Sequence, residues 1–417
     1  MEAAAVKVES GLSRSDAFHT LTASFLGWTL DAFDFFIVVF CLTAIAHDFG
    51  RTDRELALSI TLTLAFRPVG AFVFGLLADR YGRRIPLMGN LVFYSVCEVA
   101  SGLAPDYRTF MVLRALFGIG MGGEWGLGAS LAMETVPPRL RGTISGLLQE
   151  GYAAGYLLAA LAYLVVFPRW GWRPLFFLGG LPALLALYVR SQVEESEVWE
   201  RTKLPTWGSL ARGIASHWAL FLYLTLLMTM MNFVSHGTQD MYPTFLERHW
   251  GFGPERRAMV TACSMVGAII GGVLFGTLSG RVGRRRAMVI ALLGALTVIP
   301  LWAFASHPAA LVTGAFLLQL MVQGAWGVIP AHISELSPDP VRGFLPGFAY
   351  QCGVLVASSV AYIEAVIAER TSYANAMAWV AVVVLSVAAV VVWLGPEKRG
   401  VVFGAVDRDD RRPDIER

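Results

Sequence analysis

The residues best suited to chemistry lie in one stretch, Asn232 to Thr244, which reads Asn-Phe-Val-Ser-His-Gly-Thr-Gln-Asp-Met-Tyr-Pro-Thr. On a period of 3.6 residues, its polar side chains share one helical face, the polar stripe: Asn232, Ser235, His236, Gln239 and Asp240. An imidazole one turn from a carboxylate can form a charge-assisted hydrogen bond and exchange a proton near neutral pH. We therefore predict that the polar stripe binds a polar ligand, a proton or both.

The polar stripe lies in an otherwise apolar run, about Trp218 to Leu246, that exceeds the roughly 20 residues needed to cross a bilayer. Polar groups in hydrocarbon are costly unless they face other helices or a water-filled cavity. A lone histidine is more often a hydrogen-bonded core residue, but five polar residues on one face favour function. Pro243, just beyond Asp240, can break the helix and let it bend.

Three further charges stand in earlier apolar segments. Asp31 and Asp34 are three residues apart and can face one cavity, either as proton carriers or as structural acids that bridge helices. Arg67 lies near the centre of the next segment, where a charge costs roughly 2.5–3.5 kcal/mol and needs a partner. Its planar guanidinium can hold a substrate carboxylate in two bonds, which we favour over a purely structural ion pair.

Later segments carry tyrosine and amide groups at matching depth. Tyr152 belongs to the fifth apolar segment, and Tyr350 and Gln351 belong to the eleventh. Such groups on facing helices orient a polar ligand, although packing tyrosines are an equally good interpretation. Arg114 needs a partner of its own, and Glu98 in the preceding segment is a candidate.

The composition describes the elements that must position these residues. The chain is 56% hydrophobic and only 15% charged, against about 25% in soluble proteins, and its mean hydropathy is +0.58. Only residues 191–216 and the tail after Gly395 are long enough for extended loops, so we expect neither an ectodomain receptor nor a fused enzyme. We count twelve apolar segments: about 20–46, 55–79, 85–104, 108–133, 143–167, 172–190, 217–246, 257–279, 287–305, 309–334, 344–367 and 372–394.

Charge distribution predicts the orientation. The first nineteen residues lack the features of a cleaved signal peptide in order, so we expect the first span to direct insertion. If loops alternate, most of the 33 lysines and arginines fall on the side with both termini, which predicts cytoplasmic termini. The cysteines fall inside spans at no metal-ligand or disulfide-like spacing: Cys41, Cys97, Cys263 and Cys352.

The chain repeats itself at an offset of 201 residues. Residues 75–84 align with 276–285, and 123–126 align with 324–327. We therefore predict an all-α membrane protein with twelve transmembrane helices in two pseudo-symmetric six-helix halves. The predicted parts are a cytoplasmic N-terminal segment 1–19, an N-terminal half 20–190, a cytoplasmic linker 191–216, a C-terminal half 217–394 and a cytoplasmic tail 395–417.

The first repeated segment, Gly75-Leu-Leu-Ala-Asp-Arg-Tyr-Gly-Arg-Arg84, resembles the loop motif of the major facilitator superfamily of secondary transporters. The resemblance covers the whole chain and implies halves that rock around a central substrate site. Asp79 with Arg83 or Arg84 would then hold the halves together on one side, beyond setting topology. The second copy carries Arg281, Arg284 and Arg285, but Gly280 replaces Asp79, so we expect a weaker gate there.

The pattern Asn232-x-x-Ser-His-x-Thr-Gln-Asp-x-x-x-Thr244 is similar to a motif of the lactate/pyruvate:proton symporters, in the branch that also holds sialate:proton symporters. The resemblance implies import of short monocarboxylates with a proton by alternating access. It implies that Asn232, His236 and Asp240 are needed for transport and that Arg67 and Gln351 lie near the substrate. Short loops and termini favour a bacterial inner-membrane protein. Bulky rings favour a small substrate: Phe33, Phe35, Phe36, Tyr152 and Tyr156.

Other functions stay open. The chain could carry sialate or another organic acid, work as an exporter, or bind as a sensor without transport. We find no nucleophile-with-base pattern, metal-ligand cluster or phosphate-binding loop, so we expect no enzyme activity and no catalytic or metal-binding residues. We expect no cofactor beyond a co-transported proton, an organic anion and lipid as partners, no nucleic acid, and a monomer.

Overall fold

A computed structural model of the chain describes residues 14–204 and 206–404. All regular structure in this part is helical. The N-terminal half comprises α1 Arg14–Asp48, α2 Asp53–Tyr81, α3 Arg84–Gly102, α4 Tyr107–Thr135, α5 Arg141–Gln149, α6 Gly151–Trp170, α7 Arg173–Leu178 and α8 Leu181–Gln192. Between the halves lie α9 Glu197–Thr202 and α10 Trp207–Ser216.

The C-terminal half repeats this arrangement. Its helices are α11 Trp218–Gln239, α12 Tyr242–Arg248, α13 Pro254–Val282, α14 Arg284–Ala303, α15 Pro308–Trp326, α16 Ile329–Leu336, α17 Leu345–Ala357, α18 Val360–Arg370 and α19 Tyr373–Leu394, with a 3₁₀ turn at Asp339–Val341. The predicted linker 191–216 is therefore largely helical.

Twelve membrane crossings result, which confirms the predicted fold class. Ten helical segments within the described residues are long and apolar enough to span a membrane. The other two crossings are α3 and α4, which carry charged residues and glycines. Five crossings consist of two helices separated by one or two residues, as in α11 and α12, where Pro243 follows the break at Asp240–Met241. Proline removes an amide donor, and the predicted break in the helix beside Pro243 is present.

The halves touch each other closely on the side of the termini. There α4 meets α17 at a pair of glycines, since a Cβ added to Gly126 would lie 2.8 Å from the Cα atom of Gly347. In the same way, a Cβ on Gly276 in α13 would lie 2.6 Å from the carbonyl oxygen of Gly142 in α5. Glycine allows this close approach of backbones. The interface is therefore closed on the termini side, while cavities lie between the halves further toward the opposite side.

Candidate functional site

A small cavity of about 80 Å³, the inner cavity, lies between the two halves. It brings together most of the predicted substrate and proton residues, including Arg67 from α2 and His236 from α11. Helices of both halves contribute, as a central site requires. Its lining residues are Trp28, Phe35, Leu64, Arg67, Gln149, Tyr152, Asn232, Ser235, His236, Gln239, Asp240, Gln323, Trp326, Tyr350 and Val354.

Arg67 is the cation of the inner cavity. Its side chain is buried, and its Nε and Nη2 atoms have no hydrogen-bond partner within the described part of the chain. The guanidinium carbon lies 5.8 Å from the centroid of the Tyr350 ring. A buried donor without an acceptor is costly, so this guanidinium is arranged to receive an anionic or strongly polar group.

The polar stripe forms the facing wall on α11. The Nδ1 atom of His236 lies 3.2 Å from both carboxylate oxygens of Asp240. The two side chains are 30% and 39% exposed, so this pair is open to solvent in the cavity. Gln239 donates to the Ser235 hydroxyl at 3.1 Å and to Gln319 at 3.1 Å, which joins the polar stripe to α15 within the C-terminal half.

Two predicted ligand residues take part in packing as well. The Nδ2 atom of Asn232 donates to the Met228 carbonyl at 2.7 Å, although Asn232 still lines the inner cavity. Gln351 is fully buried outside the cavity wall, and its Nε2 atom donates to the Gly122 carbonyl of α4 at 3.4 Å. Gln351 therefore joins α17 to α4 across the halves, next to Tyr350 on the wall.

Aromatic rings fix the two predicted tyrosines. Tyr152 stacks on Trp28 with ring centroids 5.8 Å apart. Tyr350 packs against Trp125 at 4.6 Å and against Trp326 at 5.8 Å. Rings held in this way present their polar tips in a fixed orientation, which suits a site that orients a small ligand.

The two aspartates of α1 lie away from the cavity wall. Asp31 and Asp34 are fully buried, and their carboxylate oxygens have no hydrogen-bond partner among residues 14–204 and 206–404. Arg67 acts electrostatically on Asp31, and Arg114 acts on Asp34. The structure thus places both aspartates in a sealed region of the N-terminal half, with Asp31 near Arg67 and Asp34 near Arg114, and no described hydrogen bond joins them to the polar stripe.

Sequence reasoning left the acids around these aspartates without a functional role. Glu98 binds Arg114, its Oε2 atom lying 2.5 Å from Nη2, which confirms that pairing. Glu124 accepts a hydrogen bond of 3.2 Å from Asn90. Each of these contacts joins α3 to α4; the sequence suggested the first pair but not the bond between Asn90 and Glu124.

A larger cavity of about 280 Å³, the outer cavity, lies on the side opposite the termini. Tyr152, Gln239 and Asp240 line both cavities, so the two adjoin. Of the five bulky rings that suggested a small substrate, Phe36, Tyr152 and Tyr156 line this larger space. Its lining residues are Phe36, Val39, Phe40, Tyr152, Tyr156, Thr238, Gln239, Asp240, Tyr242, Pro243, Thr261, Ser264, Met265, Trp302, Ala315 and Gln319.

On the termini side, an N-terminal clamp forms around Asp79, with Arg83, Glu134 and Glu195 as its other members. The two carboxylate oxygens of Asp79 accept hydrogen bonds from the Gly343 and Phe344 amides, at 2.8 and 3.0 Å. These amides belong to the opposite half, so Asp79 joins the halves directly.

Arg83 carries the rest of the N-terminal clamp. It binds Asp79 at 2.6 Å and Glu134 at 3.1 Å, and all three side chains are almost fully buried. Arg342 from the other half also lies 3.5 Å from Glu134. Charged pairs buried in this way are costly to break singly, because the remaining charge is left without a partner.

A C-terminal clamp of Arg284, Glu335 and Glu397 repeats part of this arrangement. Arg284 makes two bonds to Glu335, at 2.9 and 3.0 Å, within its own half. Across the interface, Arg141 lies 3.5 Å from Glu335. Gly280 offers no carboxylate for the amides of the N-terminal half, so this copy lacks the direct backbone contact that Asp79 makes.

The other predicted gating arginines lie at helix ends, and their described hydrogen bonds stay within their own half. Arg84 donates to the Arg190 carbonyl, and Arg285 donates to the Val392 carbonyl at 3.1 Å. The Arg281 side chain is exposed, while its carbonyl oxygen accepts a hydrogen bond from Arg399. None of these described contacts joins the two halves.

Sequence reasoning missed the acids that cap the helices after the motif. Glu195 accepts from the Arg83 and Arg84 amides at 2.8 and 3.1 Å, and Glu397 accepts from those of Arg284 and Arg285 at 2.6 and 3.1 Å. The two glutamates are 202 residues apart, one more than the repeat offset. A search that allowed small shifts in the repeat would have found them.

Comparison with known proteins agrees with this geometry. Residues 24–253 match the family model "Major Facilitator Superfamily", and residues 223–397 match "Sugar (and other) transporter". The fold is similar to that of the proton:xylose symporter XylE, with a TM-score of 0.76 and 17% identity over 94% of this chain and 98% of that one. The chain belongs to the major facilitator superfamily, as its sequence predicted, and is a multi-pass membrane transporter.

Two relatives show the range of similar proteins. A "Probable 4-methylmuconolactone transporter" of Cupriavidus pinatubonensis is 30% identical over 94% of this chain and 93% of its own length. A "Carboxylic acid transporter protein homolog" of Saccharomyces cerevisiae is 28% identical over 83% of this chain, which spans 60% of the length of that protein. The relatives and the fold are those of transporters, which are not enzymes.

Proposed function

We propose that this protein imports short monocarboxylates, with lactate and pyruvate as the reference substrates, together with a proton. The observation that carries the proposal is the buried Arg67 guanidinium, with two unpaired donor atoms, on the wall of a cavity that also holds the His236–Asp240 pair. The names of the relatives, a carboxylic acid transporter homolog and a muconolactone transporter, support an organic acid as cargo.

In this proposal, Arg67 binds the carboxylate of the substrate, and the polar stripe binds the proton. Arg67 offers its planar fork to the carboxylate, and Tyr350 and Tyr152 limit where the rest of the molecule lies. His236 and Asp240 share a site that can gain and lose a proton. An anion that travels with a proton is neutral overall, and so crosses a low-dielectric path at lower cost than a bare anion.

Alternating access then requires the clamps to open. In this structure the N-terminal clamp closes the termini side, and the inner cavity adjoins the outer cavity, which lies toward the opposite side. With cytoplasmic termini in a bacterial inner membrane, this is the state that receives cargo from outside. Release needs the bonds from Asp79 to the Gly343 and Phe344 amides to break. We propose that a single chain, the monomer, carries out transport.

A second candidate is a proton symporter for a larger organic acid, including sialate. The outer cavity favours it, because its volume of about 280 Å³ exceeds that of the inner cavity, about 80 Å³. No specific contact among the described residues supports an exporter or a non-transporting sensor.

The deciding experiment is uptake of radiolabelled L-lactate into proteoliposomes with an alkaline interior, with and without a protonophore. We expect accumulation that the protonophore abolishes, and none in protein-free liposomes. Lactate uptake that ignores the protonophore would contradict proton coupling. Absence of uptake by folded protein would contradict lactate as cargo and favour the larger acid.

A further inference from the structure

Another cavity, the basic pocket, opens on the termini side at the adjoining ends of α13, α14 and α19. We propose that it binds the phosphate of an anionic phospholipid, so that one lipid of this class docks at a defined place on the C-terminal half. Its volume is about 690 Å³, and the residues that carry the argument are Arg281, Arg285, Arg286, Arg399, Trp393 and Glu397. None of them lines the inner or the outer cavity, so the proposal is independent of the proposed cargo.

Positive charge in the basic pocket exceeds what its one acid can balance. Four arginines line the pocket, against the single carboxylate of Glu397. That carboxylate already accepts hydrogen bonds from the backbone amides of Arg284 and Arg285. The side chains of Arg281 and Arg286 are exposed and make no ion pair within the described residues. Because a planar guanidinium can hold a phosphate in two bonds, this surplus of arginines suits a phosphate-bearing anion.

The first copy of the repeat lacks this surplus at the aligned positions. Ile85 aligns with Arg286 at the offset of 201 residues. Glu197 aligns with Arg399 at the offset of 202 that the capping glutamates share. The first difference adds one positive charge to the second copy, and the second difference adds two. The duplicated helix ends therefore form without these arginines, which points to a ligand that only the C-terminal half binds.

The surroundings of the basic pocket favour a lipid over a soluble phosphate. Trp393 is an exposed wall residue, and the guanidinium carbon of Arg285 lies 5.8 Å from the centroid of its ring. Exposed Ile290 follows Arg286 by four residues in α14, so the two share a helical face. Exposed Val390 precedes Trp393 by three residues in α19 and shares its face in the same way.

This arrangement matches the layers of a bilayer. Exposed apolar side chains on a membrane-spanning helix contact acyl chains, and tryptophan is enriched at the level of the headgroups. Basic pockets at the ends of such helices bind anionic headgroups. A phospholipid with its phosphate in the basic pocket can lay its acyl chains along the apolar faces of α14 and α19, which a soluble phosphate cannot do.

Native mass spectrometry of the full-length protein in detergent tests the pocket with phosphatidylglycerol and with zwitterionic phosphatidylcholine. We expect phosphatidylglycerol to bind at least about tenfold more tightly, because each nearby basic residue adds roughly fivefold to the affinity for an anionic lipid. Equal binding of the two lipids would overturn the proposal. Glycerol 3-phosphate, which has no acyl chains, should leave most of the lipid bound. Displacement at equal concentration would assign the pocket to a soluble phosphate and overturn the lipid.

Arg286→Ile installs the residue of the first copy, at an exposed position where folding does not depend on the side chain. We expect it to weaken phosphatidylglycerol about fivefold and to leave phosphatidylcholine within about twofold. The matched control is the double variant Arg286→Ile/Ile85→Arg, which moves the charge to the aligned position of the first copy and keeps the net charge. It should bind as weakly as the single variant. Restored binding would show attraction by net charge alone and overturn the pocket.

Arg399→Glu also installs the aligned residue of the first copy, and it reverses a charge. We expect it to weaken phosphatidylglycerol at least about tenfold, which tests the pocket at a second, independent position. Unchanged binding in both variants would overturn the proposal. Selective binding of phosphatidylglycerol that both variants weaken, in a protein that does not take up lactate, would support the pocket and contradict the proposed cargo.

Discussion

The two halves repeat one another in sequence but use their first helices differently. In α1, Asp31 and Asp34 are sealed inside the N-terminal half. At the aligned positions of α11, Asn232 and Ser235 lie on the wall of the inner cavity. The frame is therefore duplicated, whereas the charges that can bind or move a proton occur where the copies differ.

The same contrast holds on the termini side. The N-terminal clamp joins the halves through Asp79, while the aligned Gly280 leaves the C-terminal clamp to bind mainly within its own half. Arg67 is another position at which the two copies differ, since Ala268 is the aligned residue in the second copy. Differences between the copies thus identify the positions whose substitution tells most about function.

The largest effect is expected for Arg67→Lys, which keeps the charge but replaces a planar fork by a point charge. Because a charge-assisted bond contributes about 1.5–3 kcal/mol, we expect lactate affinity to fall about ten- to a hundredfold. Saturation curves of uptake into proteoliposomes measure it. Arg108→Lys, at an exposed position in α4, is the matched control. Near-normal affinity of the Arg67 variant would remove Arg67 from the substrate site.

Asp240→Asn tests the open pair of the C-terminal half. The amide keeps the shape but cannot ionise, so the contact with His236 at 3.2 Å loses its charge assistance. We expect uptake driven by an alkaline interior to fall at least about tenfold, while exchange of labelled for unlabelled lactate persists. Accumulation at the normal level in this variant would show that the proton binds elsewhere, with Asp31 and Asp34 next to be substituted.

The sequence was sufficient for the fold, and it named most of the polar residues that line the inner cavity, for physical reasons. Apolar segment lengths, the repeat offset and helical periodicity are local or regular signals, and they singled out Arg67, His236 and Asp240, which line the inner cavity. Contacts between distant segments leave no such signal. The depth of Asp31 and Asp34, the packing role of Gln351 and the adjoining outer cavity all depend on how helices tilt and cross.

The smallest effect is expected when the residues at the aligned positions of the two clamps, Asp79 and Gly280, are substituted in turn. Asp79→Asn removes one of the two acceptors of the Gly343 and Phe344 amides and one of the two charge partners of Arg83, which keeps its ion pair with Glu134. We expect the termini side to open more often. A Ser145→Cys reporter measures this, since Ser145 is buried between the halves, where its hydroxyl donates to the Gly327 carbonyl at 2.7 Å.

Thiol labelling of that reporter, with the four native cysteines replaced, should accelerate at least about tenfold in Asp79→Asn. Gly280→Asp should act the other way and more weakly. A Cβ there meets only the Arg139 carbonyl oxygen at 3.9 Å, so a carboxylate fits and can add an acceptor to the C-terminal clamp. Slower labelling in Gly280→Asp would show that the missing acid makes the second clamp weaker. Unchanged labelling in Asp79→Asn would contradict a gating role for the N-terminal clamp.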